Sequence, residues 1–116
     1  MQNKIQLGKT KAGRRFMGFM RTFNSGDPAA IETALQDAIT EESLEKHDVA
    51  TWLAQMQYIY SITEGLRVFQ VLASDEYQVV VLMQAQKDDR LHIIEMVVSE
   101  DYPHKIAAFV QRMAQS

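Results

Sequence analysis

The chain contains no cysteine. That absence excludes disulfides, thiol catalysis and cysteine-ligated zinc or iron–sulfur centres, and it fits a reducing cytoplasm, the location expected here. Long apolar runs are missing too. None approaches the ~18 residues of a membrane span, and Lys4, Lys9 and Lys11 are not followed by the uninterrupted apolar core of a secretory signal. No membrane partner is expected. Internal repeats, low-complexity tracts and linkers are also lacking. The 116 residues therefore read as one domain, 1–116, long enough to bury roughly two-thirds of the unfolded surface. The three histidines are separated without metal-ligand spacing, and there is no phosphate-binding glycine loop. Basic residues are not interleaved with aromatics as single-strand nucleic-acid binders require. The expectation is no cofactor, no metal and no nucleic acid.

Acid is missing from one end. Before Asp27 the chain carries Lys4, Lys9, Lys11, Arg14, Arg15 and Arg21 with no acidic residue, although the net charge is -3. Two readings stand: a site for an anionic partner, or a solvated helix face.

What is present is mostly helix punctuation followed by strand punctuation. Phe16, Met20 and Phe23, with Phe19 beside them, fall at helical spacing from about Thr10 to Asn24. Gly13 and Gly18 inside this helix each cost about 1 kcal/mol against alanine; they suit the close approach of a strand or a ligand, and close packing is the expected reason. In Phe23-Asn24-Ser25-Gly26-Asp27-Pro28, Gly26 suits a left-handed helix end. Asp27 then suits an N-cap and Pro28 a first turn. The second helix runs from Pro28 to about Ile39 with Ile31, Leu35 and Ile39 inward, and Thr40 to Lys46 reads as a short helical turn or a loop. Asp48 caps a third helix, with Val49, Trp52, Leu53, Met56, Ile59, Tyr60 and Thr63 on one broad face and Gly65 as its stop. Tyr58 points elsewhere on that helix.

After Gly65 the period changes. Leu66–Ala73, Tyr77–Gln86 and Arg90–Ser99 read as strands joined by hairpin turns at Ser74-Asp75-Glu76 and Lys87-Asp88-Asp89. The last segment, Lys105–Met113, fits a strand, but Ile106, Phe109, Val110 and Met113 also fit a helix. Helices followed by strands argue for an α+β fold with helices on one face of an antiparallel sheet. The runs Val79–Met83 and Ile93–Val98 put apolar side chains on both strand faces. Helices can cover one face only, so a homodimer through the other is expected.

This order resembles the nuclear transport factor 2-like (cystatin-like) cone: three N-terminal helices packed on a curved antiparallel sheet. Phe23-Asn24-Ser25-Gly26-Asp27 matches the helix-one-to-helix-two junction common in those domains. Asp48-Val49 with the Trp52–Tyr60 helix fits their third helix. Pro103-His104-Lys105-Ile106 resembles the entry to their final strand, as in members fused to serine hydrolases of the beta-lactamase type. The resemblance makes Lys105–Met113 a strand. The family's small residue, Gly and Leu after Ile106 are replaced here by Ala107-Ala108-Phe109, which leaves that strand's register open.

By that resemblance the protein is a non-catalytic small-ligand-binding or dimerisation module, with a small apolar ligand in the cone. The alternative is an enzyme of the ketosteroid isomerase or polyketide cyclase type, with His92 or Glu95 transferring a proton. The tentative pocket residues are Trp52, Met56 and Tyr60 on the third helix with His92, Ile94 and Glu95 on a strand. No catalytic residue is assigned, because strand alternation sends His92 and Glu95 to opposite faces. A salt bridge from Glu95 to Arg67 or Arg90 and a turn-fixing role for His104 are the structural readings of those residues. Ser43-Leu44-Glu45-Lys46 spells the Ser-x-x-Lys of beta-lactamases but lacks the partner motifs.

Overall fold

The computed structural model describes residues 4–114. The Lys4 side chain, first of the six basic groups, lies outside the described set. Local capping accounts for most helix boundaries. Helix α1 spans Lys4–Leu7 and α2 spans Lys11–Asn24. Thr10 caps α2, its Oγ1 accepting from the Gly13 N–H at 2.9 Å. Phe16, Phe19, Met20 and Phe23 form the buried stripe of α2. The short α1, too brief to show a period, folds back on α2 at Gly13. A Cβ there would stand 1.9 Å from the Leu7 carbonyl oxygen, so the expected close packing is real at this glycine.

Gly26 takes φ 70° and Asp27 Oδ1 accepts from Ala29 N–H at 3.0 Å, opening α3, Pro28–Ala38. The helix ends within a residue of the expected Ile39, which is buried as expected and caps it. The Ile39 backbone is extended and forms a parallel bridge with Ile106, and the next residue, Thr40, donates its N–H to the Ile106 carbonyl at 3.0 Å. Thr40 also caps α4, Glu41–Lys46. Asp48 caps α5, Val49–Thr63, by accepting from both the N–H and the hydroxyl of Thr51. At the far end Glu64 itself takes the left-handed turn (φ 56°) ahead of Gly65.

Strands β1 (Leu66–Ser74), β2 (Gln78–Ala85), β3 (Leu91–Val98) and β4 (Ile106–Met113) form one antiparallel sheet in chain order. In β2 and β3 the alternation is strict. Val79, Val81, Met83 and Ala85 of β2, with His92, Ile94, Met96 and Val98 of β3, are buried against the helices. Phe19 of α2 meets Phe109 of β4 edge-on, with ring centres 5.8 Å apart. The result is an α+β fold with one face of the sheet inside the core.

The outer strands are irregular. In β4 the pairing steps from Val97↔Ala108 to Val98↔Ile106, so Ala107 is an extra residue. A bulge reverses the parity of a strand at that point. It turns Ile106 and Phe109 to the same side, which is why a strand carries helix-like spacing. In β1 two such shifts leave Phe69 and Leu72 without register partners. Both side chains stand on the surface, 54% and 46% exposed.

Candidate functional site

The structure divides the six candidate pocket residues into two groups. Trp52 and Met56 are buried on α5, and Tyr60 packs edge-on against Phe23 at 5.6 Å between ring centres. A Cβ on residue 26 would stand 2.7 Å from the Tyr60 hydroxyl, so Gly26 serves that packing as well as the turn. Ile94 and His92 project from β3 into the same core layer, and His92 is only 1% exposed. Glu95 lies on the outward face. Of three clefts among the described residues, none is lined by Met56, Tyr60, His92, Ile94 or Glu95.

His92 Nδ1 is 2.9 Å from Gln111 Nε2, an amide donor on β4, which assigns Nδ1 as acceptor and the ring proton to Nε2. Burial pushes the His92 pKa below the usual histidine value; nearby Asp88 partly opposes that shift and Arg90 adds to it. The ring is therefore held neutral, with no carboxylate orienting it. A buried neutral imidazole bonded to an amide is a core group, and a general base needs hydrogen-bond reach to its substrate.

Glu95 has neither expected partner. Gln78 Nε2 donates to its Oε2, while Arg67 pairs with Asp89 at 3.0 Å and Arg90 with Asp88 at 3.6 Å. Across the strands Glu95 faces Val80 on β2 and Val110 on β4. Leu82 and Ile93 oppose one another beside it, and Val97 follows on β3. Phe69, Leu72 and Val110 add exposed apolar area to these strands. The alternating runs predicted the centre of this face. The bulges that set out Phe69 and Leu72 had no sequence signal, since a bulge is defined by the partner strand.

The other candidates have structural bonds. Ser43 Oγ donates to the Ala107 carbonyl at 2.6 Å and accepts from the Thr40 hydroxyl, which ties α4 to β4. His104 Nδ1 is 3.0 Å from the Ser99 carbonyl and fixes the β3–β4 connection, as expected. Tyr58 is exposed. Among the described residues no group of three His, Asp or Glu is placed to hold a metal ion, and no helix is long and apolar enough to cross a membrane. Compared with protein-family models, curated proteins and solved structures, the chain gives no match.

Proposed function

We propose that the protein is a non-catalytic association module that pairs with a second copy of itself through the outward face of its sheet. The carrying observation is that face: Val80, Leu82, Ile93 and Val97 at its centre, with Phe69 and Leu72 set out beside them by bulges. Four strands of eight or nine residues cover about 26 Å by about 19 Å, roughly 500 Å² in projection. Side-chain relief raises the accessible area toward the ~800 Å² per partner of a standard interface. A twofold pairing suits it, because one patch then meets its own copy. Gln78 already bonds the Glu95 carboxylate, so this charge enters the seam partly satisfied, and Arg112, opposite Ile93, is another charged group on the same face. Helices followed by an antiparallel meander is also the plan of nuclear transport factor 2-like domains, and the proposed module is a domain of that kind.

The enzymatic alternative needs His92 or Glu95 to face a cavity, and neither lines any of the three clefts. The two residues occupy opposite faces of β3, and His92 is enclosed. Sedimentation equilibrium at micromolar to tens of micromolar protein tests the proposal. A dimer is expected, and a monomer throughout that range overturns it.

A further inference from the structure

The largest of the three clefts, about 590 Å³, opens between α2, α3 and the β3–β4 connection. We infer that it binds a small organic anion, a carboxylate or phosphate carried on a flat apolar body. It lies on the helical side of the molecule, apart from the sheet face proposed for pairing.

Charge is the first observation. Lys11, Arg14 and Arg15, from the first turns of α2, line one wall. Lys11 is engaged by Glu76 at 3.3 Å, but neither arginine has a carboxylate within 4.0 Å among the described residues. Arg15 is held in place: Nε donates to the His104 carbonyl at 3.1 Å and Nη2 to the Pro103 carbonyl at 2.7 Å. Its Nη1 has no protein acceptor among the described residues. Arg14 spends one donor on the Gly8 carbonyl and keeps the rest. Two guanidinium groups, one pre-oriented by neutral acceptors, present the planar donors that carboxylates and phosphates match. The backbone of α2 contributes nothing further. The N–H groups of Lys11, Ala12 and Gly13 are taken by Glu76 Oε1, the Glu76 carbonyl and Thr10.

Gly18 is the second observation, and it corrects the packing expected there. It sits in the middle of α2, where glycine costs about 1 kcal/mol, yet a Cβ at this position would meet nothing within 4 Å. No neighbour in the fold requires the missing side chain. What the glycine leaves open is the cleft, which it lines beside Phe19 and Ala34. Backbone bared in this way lets a flat ligand approach closely. Tyr102, 88% exposed, stands at the same cleft as an aromatic surface for that body. Asp37 lies on the α3 side, which directs the anionic end toward α2.

The test is an amide chemical-shift titration of the whole protein with three probes: 2-naphthoate, 2-naphthyl phosphate and neutral 2-naphthylmethanol. Either anion, or both, is expected to shift the amides of Arg14–Phe19, Tyr102 and His104, with the alcohol at least about tenfold weaker. Which anion binds identifies the source chemistry. Gly18→Leu fills the cleft from a position with room for it and is expected to abolish anion binding. Arg14→Gln, which gives up only one carbonyl contact, is expected to weaken the anions and leave the alcohol unchanged; should Gly18→Leu fail to fold, this variant decides. The inference is overturned by no binding, by alcohol binding equal to the anions, by shifts confined to the outward sheet face, or by full binding in folded Gly18→Leu.

Discussion

Asn24 holds Leu66 by both of its backbone polar groups: Asn24 Oδ1 accepts the Leu66 N–H and Asn24 Nδ2 donates to the Leu66 carbonyl, each at 2.8 Å. A side-chain amide thus does for the start of β1 what a neighbouring strand would do, and it locks the last residue of α2 to the first of the sheet. Asn24→Leu strands both Leu66 groups in a half-buried place. The expected loss is about 1–3 kcal/mol of unfolding free energy in urea titrations. Asn24→Asp keeps the acceptor, loses the donor and is expected to fall between.

The two glycines of α2 are expected to respond with opposite sign. Gly13→Ala drives a methyl into the Leu7 carbonyl and costs about 2 kcal/mol or more. Gly18→Ala meets nothing and raises stability by up to about 1 kcal/mol. Melting temperatures of the pair, measured side by side, check both.

In the proposed pairing Leu82 and Ile93, cross-strand partners on the outward face of one chain, lie at the seam. Leu82→Lys is expected to turn a dimer into a monomer by sedimentation, because the half-buried site lets the ammonium reach water only while the face is free. The circular dichroism of the monomer should match the parent. A Leu82→Lys variant that stays dimeric would place the interface elsewhere.

His92 gives stability a pH dependence of known sign. Its folded pKa lies below the unfolded value near 6.5, chiefly through burial. Between the two values the unfolded chain binds the extra proton. Stability is therefore flat above about pH 6.5 and falls as pH drops from there toward the folded pKa. Urea midpoints between pH 7.5 and 5.5 should show the decline, and His92→Gln should flatten it.

Glu76 acts at lower pH. The backbone N–H of Lys11 lowers its carboxyl pKa most, partial desolvation opposes this, and the Lys11 ammonium and Arg14 add to the lowering. Its contribution is present above the ordinary carboxylate pKa and is lost as pH falls through the depressed folded value. Glu76→Gln is expected to remove that acid-side slope, read by the same midpoints between pH 5 and 3.

The legible parts of the chain were those set by neighbours in sequence. Asp27 and Asp48 cap helices whose hydrogen bonds lie two or three residues away, and the hairpin turns close over a few residues. What escaped was decided across long separations. The Ala107 bulge exists because β3 pairs on both sides of it. Ile39 leaves α3 because Ile106, far along the chain, offers a bridge. Glu95 takes Gln78 because strand register puts the amide nearer than either arginine. For the candidate site, periodicity separated His92 from Glu95 correctly, but it could not reveal that Gly18 has no packing neighbour. Emptiness beside a residue has no sequence pattern.

Because sheet order repeats chain order, each strand closes onto its neighbour over a short turn, and the loop-closure entropy of the sheet is small. The expensive closures fall on a few stitches between the layers: Lys11 to Glu76, Arg15 to the Pro103 and His104 carbonyls, Asn24 to Leu66, and Thr40 to Ile106. The meander can therefore form from local contacts alone, while docking of the helical layer carries the long-range topological cost and with it the slower part of folding.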